Sequence, residues 1–437
     1  MFVTRCNQDI IYKSFESPFV SAVLGPRRVG KSTLVEHYTQ EHPQNKWVHL
    51  NMDILSERQR VEASELEVLI EERARQKIQG DEPLWVTIDE AQKCPALFEQ
   101  IKVIYDRWKG TKALKWILTG SGFLTLHRLA SESQAGRIEI FYLREFSLRE
   151  SCALQEKRRP AIPSIFDRIF STQANSWQDC LSNLTPFRKG LCAALKEQMI
   201  WGGLPEVLQL TEPEEKIRYL GNYLQTYLEK DVRDIATITD LGLYQKIMEI
   251  FAQQTGSIRD DGRLLQALGC SRDTLKKYRG YLEATLIYQE VYPYIGSSLK
   301  RLVKSPKGYL TNNGLISYLT GIYDLNILEK TATIGHRYEN WALREILISL
   351  DRDPRQSQVY FWRTSGNKEV DFVVEKPPHV FPFEITYGSQ PDRKKLKNLK
   401  SFLREEKKAN WGFYIYNGEF QMDPEERILF IPGWILG

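Results

Sequence analysis

The residues with the clearest chemical purpose stand together near the start of the chain, in the run Gly25-Pro26-Arg27-Arg28-Val29-Gly30-Lys31-Ser32-Thr33. Its spacing is G-x-x-x-x-G-K-[ST], and each fixed position has a physical reason. Glycines let the backbone wrap with its N–H groups facing inward and approach phosphate oxygens closely. The helix that follows offers its N-terminus, with a partial positive charge, to the same anion. Lys31 is then placed for β- and γ-phosphates, and the Ser32 hydroxyl for a Mg2+ ion. A second run, Leu84-Trp85-Val86-Thr87-Ile88-Asp89-Glu90, is an apolar strand ending in two acids. Asp89 suits the hydration shell of that Mg2+, and Glu90 suits the polarisation of an attacking water as a general base. A third run, Ile117-Leu118-Thr119-Gly120-Ser121, ends another strand with polar groups. Ser121 fits a group that senses the γ-phosphate or orients the water, and Thr119 fits equally. Arg137, in Ala135-Gly136-Arg137, fits either an arginine finger or a salt bridge within its own domain. Together these residues imply ATP and Mg2+ as ligands.

Such a site needs a rigid sheet to hold it. The first 150 residues supply one, because short apolar runs alternate with amphipathic stretches. Val20–Leu24, Trp47–Met52, Leu84–Ile88 and Leu114–Leu118 read as strands, while 31–41 and 65–79 read as helices. That alternation predicts a parallel sheet with helices on both faces. Residues 151–190, rich in Pro, Ser, Gln and Asn, read as a connector. Residues 191–200, 213–231 and 243–254 carry apolar residues at helical spacing, and 331–437 return to mixed α/β. A chain of 437 residues fits about two to four domains. With 42% hydrophobic and 27% charged residues it is neither disordered nor membrane-embedded. Six scattered cysteines without a C-x-x-C pair exclude a zinc framework and suit a reducing compartment. The polar start and the lack of a long apolar run predict a cytoplasmic protein without a membrane partner. The net charge of +4 is too mild to argue for nucleic acid, so any basic surface is local.

The motifs also occur in a combination that resembles a known family. Asp89-Glu90-Ala91-Gln92-Lys93-Cys94-Pro95, Leu118-Thr119-Gly120-Ser121, Ala135-Gly136-Arg137 and Leu143-Arg144-Glu145-Phe146-Ser147 resemble the prokaryotic AAA+ ATPases of the archaeal ATPase/STAND-related group. Trp201-Gly202-Gly203-Leu204-Pro205, Tyr227–Arg233, Lys304–Lys307 and Gly335–Asn340 continue the resemblance into a C-terminal region of unknown function that accompanies such ATPases. The resemblance implies an α/β chain: a P-loop AAA+ parallel-sheet domain over 1–150, a connector and helical lid over 151–255, a winged helix-turn-helix over 256–330, and a restriction-endonuclease-like PD-(D/E)XK domain over 331–437.

The helix-turn-helix also has its own signature. A short helix bearing Leu264, Leu265 and Leu268 ends at Gly269, and Ser271 caps the next helix. Arg272, Lys276, Lys277 and Arg279 project from that second helix, with Lys300 and Arg301 near the tip of a following wing. Residues 271–310 hold eight basic and three acidic side chains, a net of +5 that exceeds the whole chain's. The expected role is contact with DNA phosphates; a solvated face packing on a protein partner is the alternative. No Asn or Gln stands on this helix face to read adenine, so weak sequence specificity is expected.

In the C-terminal segment, nuclease chemistry would draw on Asp371 in Lys368-Glu369-Val370-Asp371, on Glu384 in Phe381-Pro382-Phe383-Glu384-Ile385-Thr386, and on Glu339 from a preceding helix as metal-binding acids. Thr386 stands where that chemistry wants a lysine. Absence of cleavage is therefore expected, unless Lys394 or Lys395 reaches in from the next helix. The whole reads as an ATPase whose cycle controls a DNA-contacting C-terminal half, with homo-oligomerisation compatible. A nucleotide-gated switch that signals through protein partners is the alternative.

Overall fold

The computed structural model describes residues 2–79, 82–111, 113–121, 136–156, 164–171, 177–228, 238, 240–295, 304–353 and 357–436. The sequence reading divides the chain into four consecutive segments, whereas the structure divides it into two compact units. One comprises Met1–Glu145, Gln225–Thr239 and Gly280–Leu286; the other comprises Phe146–Leu224, Asp240–Arg279 and Ile287–Gly437.

The first unit runs α1 (Gln8–Phe15), β1 (Val20–Leu24), α2 (Lys31–Glu41), β2 (Lys46–Asn51), α3 (Leu55–Glu62), α4 (Leu66–Ala74), β3 (Leu84–Asp89), α5 (Ala96–Arg107), β4 (Leu114–Gly120) and β5 (Ile138–Tyr142). The five strands are parallel, in the order β2-β3-β4-β1-β5. Every residue of β1 is buried, as a strand covered on both faces requires. Val20, Ala22, Leu24, Val86, Ile88 and Leu118 pack with Leu97, Phe98 and Ile101 of α5 in one core. Strand β4 lies between β1 and β3, with Leu24 opposite Gly120 and Ile88 opposite Leu118. The carboxyl ends of all three strands therefore reach one edge of the sheet, where α/β folds bind ligands.

The second unit opens with α6 (Leu148–Glu156), α7 (Ile165–Ser171), α8 (Trp177–Leu184), α9 (Arg188–Trp201) and α10 (Pro213–Thr226). The stretch read as a connector is thus largely helical. Ile165, Phe166, Ile169 and Leu184 are buried, which is why a low apolar content still folds. Then come α11 (Leu241–Gln253), β6 (Ser257–Ile258), α12 (Asp261–Leu268), α13 (Arg272–Ala284), β7 (Tyr288–Pro293), β8 (Lys307–Leu310), α14 (Asn313–Thr320), α15 (Leu325–Glu329) and α16 (Ile334–Leu350). The chain ends with β9 (Gln358–Arg363), β10 (Glu369–Lys376), β11 (His379–Ile385), α17 (Arg393–Glu405), β12 (Gly412–Tyr416), β13 (Gln421–Asp423) and β14 (Ile428–Pro432). Helix α12 stops at Gly269 in the left-handed region, and the Ser271 hydroxyl accepts the Thr274 N–H at 3.1 Å to start α13.

Nine strands of this unit form one sheet in the order β13-β14-β12-β11-β10-β9-β7-β8-β6. Strands β9, β10 and β11 are antiparallel, β12 joins β11 in parallel, and β7 joins β9 in parallel. The β7–β8 hairpin is therefore continuous with the C-terminal sheet rather than a separate module. Helix α16 is enclosed, with every residue from Arg337 to Ile348 buried. Its polar groups need internal partners. Gln198 of α9 serves two of them, accepting from Trp341 at 2.9 Å and from Arg344, while its own Nε2 donates to the carbonyls of Phe146 and Ser147.

Candidate functional site

The loop between β1 and α2 is shaped by two glycines and one arginine. At Gly25 a Cβ would collide with the Leu143 carbonyl oxygen, and Gly30 has φ +96° at the start of α2. Arg5, buried beneath the loop, donates to the Val29 carbonyl at 2.7 Å and to the Arg144 carbonyl at 2.6 Å. Lys31 opens α2, and its ammonium donates to the carbonyls of Gly25 (3.0 Å) and Pro26 (2.8 Å). The cation is thereby held inside the curve of the loop.

The three strand ends complete the arrangement. The Ser32 hydroxyl donates to Asp89 Oδ2 at 3.0 Å, and Thr119 of β4 donates to Asp89 Oδ1. Ser32 and Asp89 thus present hard oxygen donors side by side, a pair that suits Mg2+ completed by phosphate oxygens and water. Glu90 follows Asp89 in a left-handed conformation, φ 52°. Gln92 Nε2 donates to Glu90 Oε2 at 2.6 Å and to Ser121 Oγ at 3.0 Å. Arg27 approaches Glu90 Oε2 at 3.8 Å. Burial pushes the Glu90 carboxyl above the ordinary glutamate range, while Arg27 and Lys31 pull it back.

The structure therefore gathers Lys31, Ser32, Asp89, Glu90, Thr119 and Ser121 around one loop. It separates the two candidates on β4: Thr119 contacts Asp89, and Ser121 contacts Gln92. Gln92 and Arg27 were missed as partners of Glu90. Only the position of Gln92 two residues beyond Glu90 hinted at its role. Of the two roles open to Arg137, its own chain shows the salt bridge. The Arg137 carbonyl accepts from Val20 N, so it lies level with the start of β1, at the end of the sheet opposite the loop. Its guanidinium meets Asp106 at 2.9 and 3.0 Å, the intradomain salt bridge that was the alternative.

In the second unit the basic surface of α13 is smaller than its sequence suggests. Arg272, Lys276 and Lys277 are exposed. Arg279 is buried and bonded to Asp261 and Glu290, both at 3.1 Å, so it is withdrawn from any phosphate contact. Lys300 and Arg301 lie outside the described residues.

The three C-terminal acids do converge. Asp371 stands at a bulge, because Val370 pairs with Trp362 but Val373 pairs with Tyr360, leaving one extra residue on β10. Its Oδ2 accepts the Ile385 N–H at 2.8 Å. Two lysines enter the cluster. Lys395, from the first turn of α17, lies 2.8 Å from Asp371 and 3.2 Å from Glu384. Lys307, from β8, lies 3.1 Å from Glu339, 2.6 Å from Glu369 and 3.9 Å from Asp371. Burial alone would lower the pKa of both ammonium groups, but the carboxylates outweigh it and hold each lysine above its ordinary range. The same lysines hold Asp371 low against the effect of burial. Burial, then the charge of Asp371, drives Glu384 well above the glutamate range, and its Oε2 is buried without a hydrogen-bond partner. Among the described residues no group of three His, Cys, Asp or Glu side chains is placed to hold a metal ion. Lys307 and Lys395 thus meet Glu339, Asp371 and Glu384, the acids expected to gather a metal. Lys394 is exposed, so Lys395 is the lysine that reaches in.

With this geometry in view, residues 17–152 match the AAA domain family. Residues 192–326 and 334–436 match two domains of unknown function, DUF8612 and DUF4143. Uncharacterised proteins of Mycobacterium tuberculosis and Mycobacterium bovis are each 25% identical over 347 residues, 79% of this chain and 68% of theirs. Among solved structures, a Walker-type ATPase of Pyrococcus abyssi is 15% identical, with a TM-score of 0.47, over 73% of this chain and 96% of its own. The ADP form of the Aeropyrum pernix ORC2 protein is 11% identical, with a TM-score of 0.35, over 76% and 96%. Among the described residues no helix is long and apolar enough to cross a membrane.

Proposed function

We propose that this protein binds ATP with Mg2+ and hydrolyses it, and that its nucleotide state controls a nucleic-acid contact made by the C-terminal half. The supporting observation is the connected array on three strand ends, in which Lys31, Ser32, Asp89, Thr119, Glu90 and Ser121 surround one glycine-bounded loop. Lys31 exchanges its two carbonyl acceptors for phosphate oxygens. Ser32 and Asp89 would hold the Mg2+, which would supply neutralisation of the phosphate charge. Glu90 takes the proton of the attacking water, and Gln92 and Ser121 orient it. Steady-state phosphate release by wild type, Lys31→Ala and Glu90→Gln tests the reading; equal rates in all three would refute it.

The restraint of Glu90 favours the switch as a second reading. Its Oε2 is engaged by Gln92 and Arg27, and a carboxyl so engaged is a poor base. Gln92→Ala is then expected to raise turnover; a fall would make Gln92 part of the catalytic arrangement instead.

For the C-terminal half, a winged helix followed by a restriction-endonuclease-like fold is supported by α12, α13 and the β7–β8 hairpin, then by α16, antiparallel β9–β11, α17 and the parallel strand β12. The exposed Arg272, Lys276 and Lys277 would meet DNA phosphates. The carboxylate cluster would cleave nothing, because Lys307 and Lys395 already neutralise its acids. Incubation with Mg2+ or Mn2+ and plasmid DNA tests this; cleavage that vanishes in Asp371→Ala and in Lys395→Ala would make Lys395 the displaced catalytic lysine.

A further inference from the structure

Helix α17 carries a second feature, on the side away from the carboxylate cluster. Residues 393–408 hold eight basic and two acidic side chains, a net of +6. One face of the helix is apolar and buried, through Leu399, Phe402 and Leu403. Arg393, Lys397, Lys400 and Arg404 recur at i, i+4, i+7 and i+11, which draws them into a single stripe on the opposite face. At 1.5 Å per residue the stripe spans about 16 Å. Lys400 pairs with Glu426 at 3.0 Å, and Arg393, Lys397 and Arg404 have no carboxylate partner among the described residues. Lys394 and, beyond the helix, Lys407 and Lys408 widen the exposed cationic area.

We infer that this face of α17 docks on the phosphate backbone of a nucleic-acid duplex, as a second contact besides α13. A row of like charges, with Glu426 beside only its third member, matches a partner that bears a negative charge every ~1.7 Å of its axis. A protein partner would call for apolar anchors, and among the described residues none of the exposed large apolar side chains lies on α17. A membrane surface would call for an apolar face able to insert, whereas here that face is committed to the core around Tyr360, Val370 and Tyr414. Single strands would call for exposed aromatic rings for bases to stack on, and the one aromatic residue of α17, Phe402, is 1% exposed. The inference deepens the proposed nucleic-acid contact and is independent of ATP hydrolysis.

The test uses the full chain and a fluorescein-labelled 25-base-pair duplex, with anisotropy titrations at several salt concentrations. The stripe variant carries Arg393→Glu, Lys397→Glu and Arg404→Glu; a helix-tolerant version carries Gln at the same positions, so that a folding defect in one leaves the other to decide. A comparison variant carries Arg272→Glu, Lys276→Glu and Lys277→Glu. ATPase rate and thermal midpoint serve as folding controls. The expected result is at least a tenfold loss of duplex affinity in both stripe variants, with the slope of log affinity against log salt shallower by about 3. Stripe variants that bind as wild type while the α13 variant fails would overturn this inference and leave the nucleic-acid reading standing. A wild type that binds no duplex at low salt would overturn both. Loss confined to phosphatidylserine vesicles, with duplex binding intact, would make the partner a lipid surface and overturn the inference.

Discussion

Lys31 and Lys307 are almost equally buried, 6% and 4% exposed, yet they rest in opposite surroundings. Lys31 donates to two carbonyl oxygens of its own loop. Lys307 sits among Glu339, Glu369 and Asp371, and Lys395 adds a second ammonium to the same acids. A carbonyl is a neutral acceptor, so an arriving phosphate outbids it easily. A buried carboxylate holding a lysine is much harder to displace, because separation leaves two unpaired charges out of water. The first site is therefore poised to exchange its partner, and the second is closed on itself. Two clusters of similar residue types thus serve different ends, according to whether the cation is met by dipoles or by charges.

The largest effects belong to the open site. Lys31→Ala is expected to lower ATP turnover by roughly a thousandfold or more, through loss of a preorganised charge on the transferring phosphoryl group. Glu90→Gln should lower turnover by roughly 10²- to 10⁴-fold while nucleotide affinity is retained. Phosphate release and equilibrium nucleotide binding measure the two quantities separately. Near-normal turnover in either variant would erase the contrast.

The closed site should show itself in stability. Asp371→Asn removes the acid shared by both lysines and is expected to cost about 3–5 kcal/mol, read as a lowered urea midpoint. Asp89→Asn, whose partners are the neutral hydroxyls of Ser32 and Thr119, should shift that midpoint far less in the absence of nucleotide. If the two substitutions cost the same, the distinction between dipole and charge partners fails.

A smaller effect follows from Glu384. Its folded pKa is raised, so its contribution is fully present below the unfolded value, about 4.3, and is lost as pH rises from there towards the folded value. Glu384→Gln should therefore flatten the decline in stability between pH 5.5 and 7.5, and urea midpoints at the two values check it. A variant whose pH profile matches that of wild type would show that Glu384 does not titrate in this window.

The smallest effect is expected at Arg137. Its bond to Asp106 is partly exposed, so Arg137→Ala should leave the thermal midpoint close to that of wild type. Turnover at low protein concentration should also be unchanged, since Arg137 lies away from the loop of its own chain. A loss of turnover that grows with protein concentration would mean that Arg137 serves a neighbouring copy.

Much of the open site was legible because it is local in sequence. The glycine spacing, the Lys31–Ser32 pair and the acids ending β3 each declare themselves within a few residues. Strand β5 escaped notice because an edge strand whose residues are all half-buried, Ile138–Tyr142, gives neither a clean apolar run nor a clear alternation. The closed site was legible only in part. Asp371, Glu384 and Glu339 stood out as acids, but Arg279 read as part of an exposed helix face and Lys307 as one more of the basic residues of 271–310. Whether a cation faces water or a carboxylate depends on partners far along the chain: Glu339 is 32 residues from Lys307. Periodicity cannot reveal such pairs, although the i, i+4, i+7, i+11 row on α17 was there to be read.

The pairing of β7 with β9 matters for anyone dividing this protein into pieces. Tyr292 and Pro293 lie beside Tyr360 and Phe361, and the Tyr294 N–H bonds to the Phe361 carbonyl at 2.6 Å. A fragment starting at residue 331 would keep β9 to β14 but bare the flank of β9. It would also take Lys307 away from Glu339, Glu369 and Asp371, leaving Lys395 as the cluster's one ammonium among the described residues. An uncovered strand flank recruits other chains. Such a fragment should collect in the insoluble fraction, whereas one beginning at Phe146, where the second unit starts, should keep the nine strands together.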